Sequence, residues 1–188
     1  MRRPLVVFGL KGTLIDRVHT SGSSAVAAEP SCHVGNFRVW VRPGAHDVLS
    51  WTSQHADIAI WSSATKRNTT QFAEAALGEA TSKFVWSREH AHADDYRRNH
   101  IVHEDDSWAV SMDLDVVVRE FPEYTPADIV VVDDSCSKWR FWSHRLLIVP
   151  TFDVKSTSLD DAAPMANLQR HLEPFLLGQS AHGTPVFV

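Results

Sequence analysis

Short runs of apolar residues, each ending at a turn or a polar pair, set the pattern of this chain. They occupy residues 5–10, 57–61, 128–132 and 146–149. A continuous apolar run of about four to eight residues is typical of a strand buried on both faces. Residues 36–41 alternate between apolar and polar positions, which predicts a strand with one face in water, and residues 82–86 fit a further short strand.

Helical periodicity fills the spaces between these strands. The pattern predicts helices over residues 45–55, 68–78, 113–121 and 159–177, the last interrupted near Pro164. Two segments rich in small or polar residues, 20–31 and 91–106, are predicted to be loops. Strands that alternate with helices indicate an α/β fold with a mostly parallel central sheet covered by helices.

Length and composition narrow the class of protein. A chain of 188 residues that is 44% hydrophobic can bury its own core, and one domain is expected. The formal net charge of -5 gives no reason to expect a broad nucleic-acid surface, although a local basic patch and RNA contact stay open.

Targeting and redox signals are few. The two cysteines, Cys32 and Cys136, lie far apart, so a reducing intracellular compartment is expected rather than a disulfide framework. No apolar run reaches about eighteen residues, so no membrane span is predicted. Residues 1–4 precede the first strand and are too short for a standard signal peptide.

Chemically interesting residues follow three of the predicted strands. Gly9 lies near the end of the first strand, and Lys11 and Thr13 follow it. Ser62 follows the 57–61 strand, and an acidic pair follows the 128–132 strand: Asp133 and Asp134. The carboxyl ends of parallel strands meet at one edge of a sheet, where α/β proteins place their ligand sites. We therefore expect these side chains to lie close together.

These motifs, in this order, resemble a branch of the haloacid-dehalogenase superfamily. The branch contains the small CTD phosphatases, the NLI-interacting factors and the mitochondrial import receptor Tim50. Further matching segments are residues 42–44, 112–114 and 172–176. The resemblance implies a Rossmann-like, three-layer α/β/α fold with a small β insertion after the first strand. It implies a domain over residues 1–178 and a tail over 179–188.

The resemblance also assigns roles to positions, and most of the residues found there do not suit those roles. Gly9 stands at the position of the nucleophilic aspartate, and Lys11 at that of the acid–base aspartate. Met112 stands where the family has a phosphate-binding lysine, whereas Ser62 is a conservative replacement. The resemblance thus implies a pseudophosphatase with a vestigial site that also includes Thr13.

Two interpretations of the acidic pair stay open at this point. Active relatives hold Mg²⁺ with the nucleophilic aspartate and with residues at the positions of Lys11 and Asp133. Lys11 could place its ammonium beside Asp133 or Asp134 and replace the ion. It could instead point into solvent while Asp133 caps a turn. No cofactor is expected, although Mg²⁺ binding is left open.

Two segments are candidates for contact with partner proteins. Residues 90–106 hold many histidines and acids, including His90, His92 and His100, at a spacing irregular for structural zinc. A solvated loop is the alternative. Trp142, with Arg140 and Arg145, could anchor an interface or pack in the core, whereas Trp139 is expected in the core.

Three classes of function stay in play. The first is a non-catalytic subunit of a larger assembly of proteins, and the second is a phosphate- or phosphopeptide-binding module. That module would use Ser62, Lys11 and the backbone of Gly12 and Thr13. The third is a residual enzyme with Ser62 or Cys136 as nucleophile. Family analogy slightly favours a mitochondrial ribonucleoprotein or membrane-associated complex over the cytoplasm or nucleus.

Overall fold

A parallel six-stranded sheet lies at the centre of the computed structural model, which describes residues 2–22, 26, 28–90, 112–139, 141–178 and 186–187. The strands within these ranges are β1 Leu5–Phe8, β2 Ile15–His19, β3 Cys32–Val34, β4 Phe37–Val41, β5 Asp57–Trp61, β6 Phe84–Trp86, β7 Ile129–Asp133, β8 Leu146–Ile148 and β9 Val186–Phe187. The helices are α1 Ala45–His55, α2 Lys66–Leu77, α3 Leu114–Glu120 and α4 Ala163–Leu176.

The order of the main sheet puts β1 at its centre. The strands run β6-β5-β1-β7-β8-β9, and Val7 of β1 pairs with Ala59 on one side and Val131 on the other. All the neighbouring pairs are parallel. The carboxyl ends of β1, β5 and β7 therefore meet at one edge, which is where Gly9, Ser62 and Asp133 lie.

Helices cover both faces of the sheet. Val6 and Phe8 point to one face and pack with residues of α1, α2 and α4, such as Leu49 and Leu168. Leu5 and Val7 point to the other face and pack with α3 and with a group of tryptophans. The expected three-layer α/β/α fold is confirmed.

A second, antiparallel sheet follows β1 in the order β2-β4-β3. The buried carboxylate of Asp16 ties it to the main domain, since it accepts hydrogen bonds from the backbone N–H of Arg17 at 2.7 Å and of Val154 at 3.1 Å. Trp40 and Phe152 pack beneath this sheet. The small β insertion implied by the resemblance is therefore present.

The elements that the pattern predicts differ from the observed ones mainly at their ends, whereas β2, β3 and β9 are not predicted from the pattern. Residues 45–55 and 57–61 form α1 and β5 as predicted, whereas α2 begins two residues earlier, at Lys66. Pro164 does not interrupt α4. It lies in the first turn of a helix that begins at Ala163, where its missing N–H costs nothing.

Three further sequence predictions concern the loop over 91–106, the C-terminal tail and membrane-spanning helices. The predicted loop over 91–106 lies outside the described residues. Val186 and Phe187, in the predicted tail, pair with Leu147 and Ile148 as β9. Within the described part of the chain, no helix is long and apolar enough to span a membrane.

We expect Gly44→Ala to destabilise the protein more than Gly35→Ala. Both glycines have positive φ, at +76° and +55°, so both substitutions strain the backbone. Only at position 44 would the new Cβ lie 3.0 Å from Met165 Cβ, whereas nothing lies within 4 Å at position 35. Urea unfolding should show an extra loss of about 1 kcal/mol for Gly44→Ala. Equal losses would contradict the packing argument.

Candidate active site

The carboxylate of Asp133, at the end of β7, is fully buried and has its hydrogen-bond partners within the chain. Oδ1 accepts from Lys138 Nζ at 2.9 Å and from the backbone N–H of Ser135 at 2.9 Å. Oδ2 accepts from the indole N–H of Trp139 at 3.0 Å. Burial raises the pKa of Asp133 and the Lys138 charge opposes that rise. The carboxylate is thus held by one ammonium and two N–H donors.

Lys138 reaches the acidic pair because a short 3-10 helix, Cys136–Trp139, turns the chain back over the end of β7. Its Nζ also lies 3.5 Å from Asp134 Oδ1. Burial alone would lower the pKa of Lys138, but the carboxylates of Asp133 and Asp134 raise it above its usual value. Lys138 therefore stays protonated and serves both carboxylates.

A second cation, Arg42, lies near the second carboxylate. The buried guanidinium of Arg42 donates to the carbonyl of Thr13 at 3.2 Å and attracts Asp134 electrostatically. Asp134 Oδ2 also accepts from Thr151 Oγ1 at 3.1 Å. Lys138 thus pairs with both carboxylates, and the guanidinium of Arg42 is attracted to Asp134 and to Asp161.

The carboxylates of this site occupy the space above Gly9 and Gly12. A Cβ added at Gly9 would lie 2.6 Å from Asp133 Oδ2 and 2.8 Å from Thr13 Oγ1. A Cβ added at Gly12 would lie 2.1 Å from Asp134 Oδ2. Real Cβ atoms do not come this close, so a side chain at position 9 requires Asp133 to move.

Lys11 does not replace a metal ion, and that interpretation is wrong. Its side chain is exposed, and among the described residues it forms no ion pair with either carboxylate of the acidic pair. The turn from Gly9 to Ile15 directs it away, because Gly12 N–H donates to the Ile15 carbonyl at 2.8 Å. The solvent-facing alternative describes Lys11. The cation beside the pair is Lys138, which the sequence analysis missed.

Ser62 and Met112 have structural contacts that explain them without a ligand. Ser62 Oγ accepts from Ala64 N–H at 3.1 Å, which closes the turn after β5. Met112 is buried, and its N–H donates to the Lys138 carbonyl at 2.7 Å. The expected backbone anion nest is absent from this turn, since the N–H groups of Gly12 and Thr13 donate to the carbonyls of Ile15 and Leu10.

The site opens onto a small cavity of about 110 Å³ that is lined largely by cationic and hydroxyl side chains. Its polar side chains are those of Lys11, Arg17, Ser62, Ser63, Arg88 and Lys138. Positive charges that converge on one cavity favour an anion there.

The predicted partner residues that are described all have contacts inside the protein. Trp142 is half-buried, and its indole N–H donates to Asp113 Oδ1 at 2.9 Å. Arg145 donates to the carbonyl of Ala127 at 3.3 Å. His90 Nδ1 lies 2.9 Å from Ser87 N, and burial followed by the charge of Lys66 lowers its pKa. The other predicted partner residues lie outside the described residues: His92, His100 and Arg140.

Phe141 is the exposed residue in this region that the sequence analysis overlooked. Its side chain is 59% exposed, next to Trp142 and directly after the segment that holds Lys138. Trp139 is buried as expected and packs edge-on against Trp61 at a centroid distance of 5.7 Å. The loop over 137–145 thus combines a buried anchor with an exposed aromatic ring.

The residues present do not fit the magnesium ion that the resemblance implies. Octahedral Mg²⁺ needs several oxygen ligands, yet Gly9 supplies no carboxylate and Asp133 is already held by Lys138 and Trp139. Among the described residues, no three His, Cys, Asp or Glu side chains come together as a candidate metal site. An incoming ion would have to displace the Lys138 ammonium.

We expect Lys138→Met to lower the free energy of unfolding by about 3 kcal/mol at neutral pH, because it leaves Asp133 buried without its cation. This loss of unfolding free energy should be smaller at about pH 5 than at about pH 7. A buried carboxyl without a cation has a higher pKa folded than unfolded, so falling pH favours folding. Urea unfolding at both pH values is the measurement.

Lys155→Met is the matched control for Lys138→Met, since Lys155 is exposed and in no ion pair among the described residues. Its effect should stay within about 0.5 kcal/mol and should not depend on pH over this range. If both substitutions cost the same, Lys138 does not hold the acidic pair.

Comparison with known proteins agrees with this architecture. Among solved structures, the chain is similar to the essential RNA polymerase II CTD phosphatase Fcp1, with 18% identity and a TM-score of 0.55 over 97% of this chain and 51% of that one. It is also similar to a fission yeast Fcp1 variant bound to beryllium fluoride, with 16% identity and a TM-score of 0.57 over 97% and 53%.

The chain spans about half the length of these two structures. At such identity the likeness shows the fold alone. No curated protein matches the chain. The family described as NLI interacting factor-like phosphatase matches residues 4–180, nearly the whole sequence. The chain therefore belongs to the NLI interacting factor-like phosphatase family, which has the haloacid-dehalogenase-like fold.

Proposed function

We propose that this protein is a catalytically inactive member of its family that serves as a structural or protein-interaction subunit of a larger assembly. The observation that carries the proposal is the space above Gly9. That position supplies the nucleophile in active relatives, and here the carboxylate of Asp133 fills the place of a side chain.

The chemistry of the remaining positions supports the same proposal. Aspartyl-phosphate formation needs a carboxylate at position 9, and glycine offers no atom that can attack phosphorus. A protonated lysine at position 11 cannot accept a proton as a carboxylate does. The thioether of Met112 cannot neutralise a phosphoryl group. These changes remove three different contributions to phosphoryl transfer: the nucleophile, the acid–base group and the phosphate-binding cation.

The charge balance of the site supports a domain that folds without a metal ion. Lys138 already pairs with Asp133 and Asp134, and Arg42 attracts Asp134, so Mg²⁺ would bring further positive charge to carboxylates that have a cation beside them. Removing the ammonium from the buried carboxylate would also cost its ion pair. We infer that no cofactor is required for the structure.

The setting of the assembly rests on family analogy. The likeness of the motifs to those of Tim50 favours a mitochondrial complex, either ribonucleoprotein or membrane-associated. Loops at the carboxyl ends of a rigid sheet can change in sequence without unfolding the domain, so they are the expected contact surface. The segments that the sequence predicts for this contact are 91–106, which lies outside the described residues, and 137–145.

The second candidate function is a phosphate- or phosphopeptide-binding module without catalysis. The cavity beside Ser62, with its converging lysines and arginines, favours this function. Titration of the ¹⁵N-labelled protein with inorganic phosphate would test it. Chemical-shift changes confined to the residues around Ser62, and reduced by Lys11→Gln, would support it.

We expect no Mg²⁺-dependent hydrolysis of a generic aryl phosphate by the purified protein. Gly9→Asp alone should stay at background, because Asp133 and Lys138 block the new carboxylate and compete with the ion. Revival would need at least Gly9→Asp, Lys11→Asp and Met112→Lys together, and the structure adds Lys138 as a fourth position to change. Turnover above a heat-killed control that disappears in Asp133→Asn would overturn the proposal.

We expect Phe141→Ser to reduce recovery of the partner proteins when the tagged chain is purified from its native source and quantified by mass spectrometry. An exposed aromatic ring in a loop is the kind of residue that anchors an interface. Leu177→Ser is the matched control, since Leu177 is also a large exposed hydrophobic residue, at 51% against 59%. Equal recovery with the two variants would remove the 137–145 loop from the interface.

A further inference from the structure

Three cavities adjoin on the side of the protein that carries the candidate site. The first, beside Ser62, and a second of about 360 Å³ share Lys11 and Arg17 in their linings. The second and a third of about 550 Å³ share His19. We call the surface that these three neighbouring cavities line the basic groove and define it by residues from all three linings: Lys11, Arg17, His19, Arg67, Arg88 and Lys155.

The groove is positive although the protein as a whole is acidic. The two acidic residues in its lining, Asp16 and Asp153, hold backbone N–H groups: Asp16 those of Arg17 and Val154, and Asp153 that of Lys155 at 3.0 Å. The net charge of the chain is -5, so the acidic excess lies elsewhere. A polyanion approaching the protein is attracted to this side.

Several cations of the groove have no role in holding the fold together. Lys11, Arg67 and Lys155 are exposed and, within the described part of the chain, belong to no ion pair. Arg67 lies in the first turn of α2, and that turn contains no acidic residue. The positive charge of Arg67 therefore opposes the helix dipole. Glu89, which accepts from Lys66 N–H at 3.1 Å, offsets this only in part. Such placement favours ligand binding over stability.

Arg17 is held in a fixed position between the first two cavities. Its guanidinium lies 4.6 Å from the ring centroid of Phe37 and 5.0 Å from that of Phe72. Contact with two aromatic rings restricts its rotamers and leaves its charge in place. A preorganised cation loses less entropy when it binds an anion.

The third cavity adds side chains that can recognise a ligand by hydrogen bonding as well as by charge. Its lining includes the side-chain amides of Asn36, Asn68 and Gln71 and the ring of Phe37. Amides both donate and accept hydrogen bonds, which matches the mixed edges of nucleobases. A phosphorylated or acidic peptide would be bound mainly by donors gathered around one anionic group. The cations of the basic groove are instead spread along three cavities.

We propose that the basic groove binds single-stranded nucleic acid, with phosphates along Lys11, Arg67 and Lys155 and bases in the amide-lined third cavity. Proteins that bind single strands without base pairing combine a positive channel with base-contacting side chains. This proposal goes beyond the inactive-phosphatase function and does not depend on it, because attraction of a polyanion to Lys11, Arg67 and Lys155 is the same whether or not the site catalyses a reaction.

The test is fluorescence anisotropy of the full chain with a labelled single-stranded RNA of roughly twelve nucleotides and mixed sequence. The variant Lys11→Gln, Arg67→Gln, Lys155→Gln should bind about tenfold more weakly at low salt. The slope of log affinity against log salt should fall by about 2, from a loss of about 0.7 for each phosphate contact.

The matched control removes the same charge from cations outside the groove lining: Arg2→Gln, Lys83→Gln, Arg170→Gln. It should bind like the unchanged protein, and the circular dichroism melts of both variants should show that they are folded. Absence of RNA binding at low salt, or equal weakening by both triple variants, would overturn the proposal. So would displacement of the RNA by a phosphoserine peptide that binds more tightly and is equally sensitive to the groove variant.

Discussion

The ion pair between Lys138 and Asp133 is the interaction on which the rest of the site depends. A carboxylate fully buried at the end of β7 loses its hydration, and this cost is met only by a close cation and further donors. The short helix over 136–139 supplies both the ammonium and the indole N–H. The absence of a side chain at Gly9 leaves room for the carboxylate to take this position.

Substitutions at separate positions of the sequence therefore describe one physical arrangement. Met112 stands where the resemblance places a phosphate-binding lysine, and its N–H donates to the carbonyl of Lys138, the residue that supplies the cation beside Asp133. The acidic pair thus has its close cation within the protein, since Lys138 lies 2.9 Å from Asp133 Oδ1 and 3.5 Å from Asp134 Oδ1.

The fold could be predicted from sequence because its signals are local. The apolar run of β5 and the periodicity of α1 gave their bounds, whereas β2 and β3 carry polar residues such as Asp16 and His33 and gave no strand signal. The gathering of Gly9, Ser62 and Asp133 followed from parallel topology. The cation that pairs with Asp133 could not be predicted. Lys11 follows the neighbouring strand β1, but its side chain is exposed, and Lys138 reaches the carboxylate only because a 3-10 turn brings it back over the end of β7. Its position five residues after Asp133 was the available signal.

The hydrogen bond from Trp139 to Asp133 gives the site an optical reporter. Indole emission responds to a charge a few ångströms away, and the Trp139 ring nitrogen lies 3.0 Å from the carboxylate. Protonation of Asp133, or the arrival of any ligand that pulls it from Lys138, changes the field on that ring. Trp61, in edge contact with Trp139, shares the same environment. Near-ultraviolet spectroscopy of the unlabelled protein can therefore follow the electrostatic state of the acidic pair.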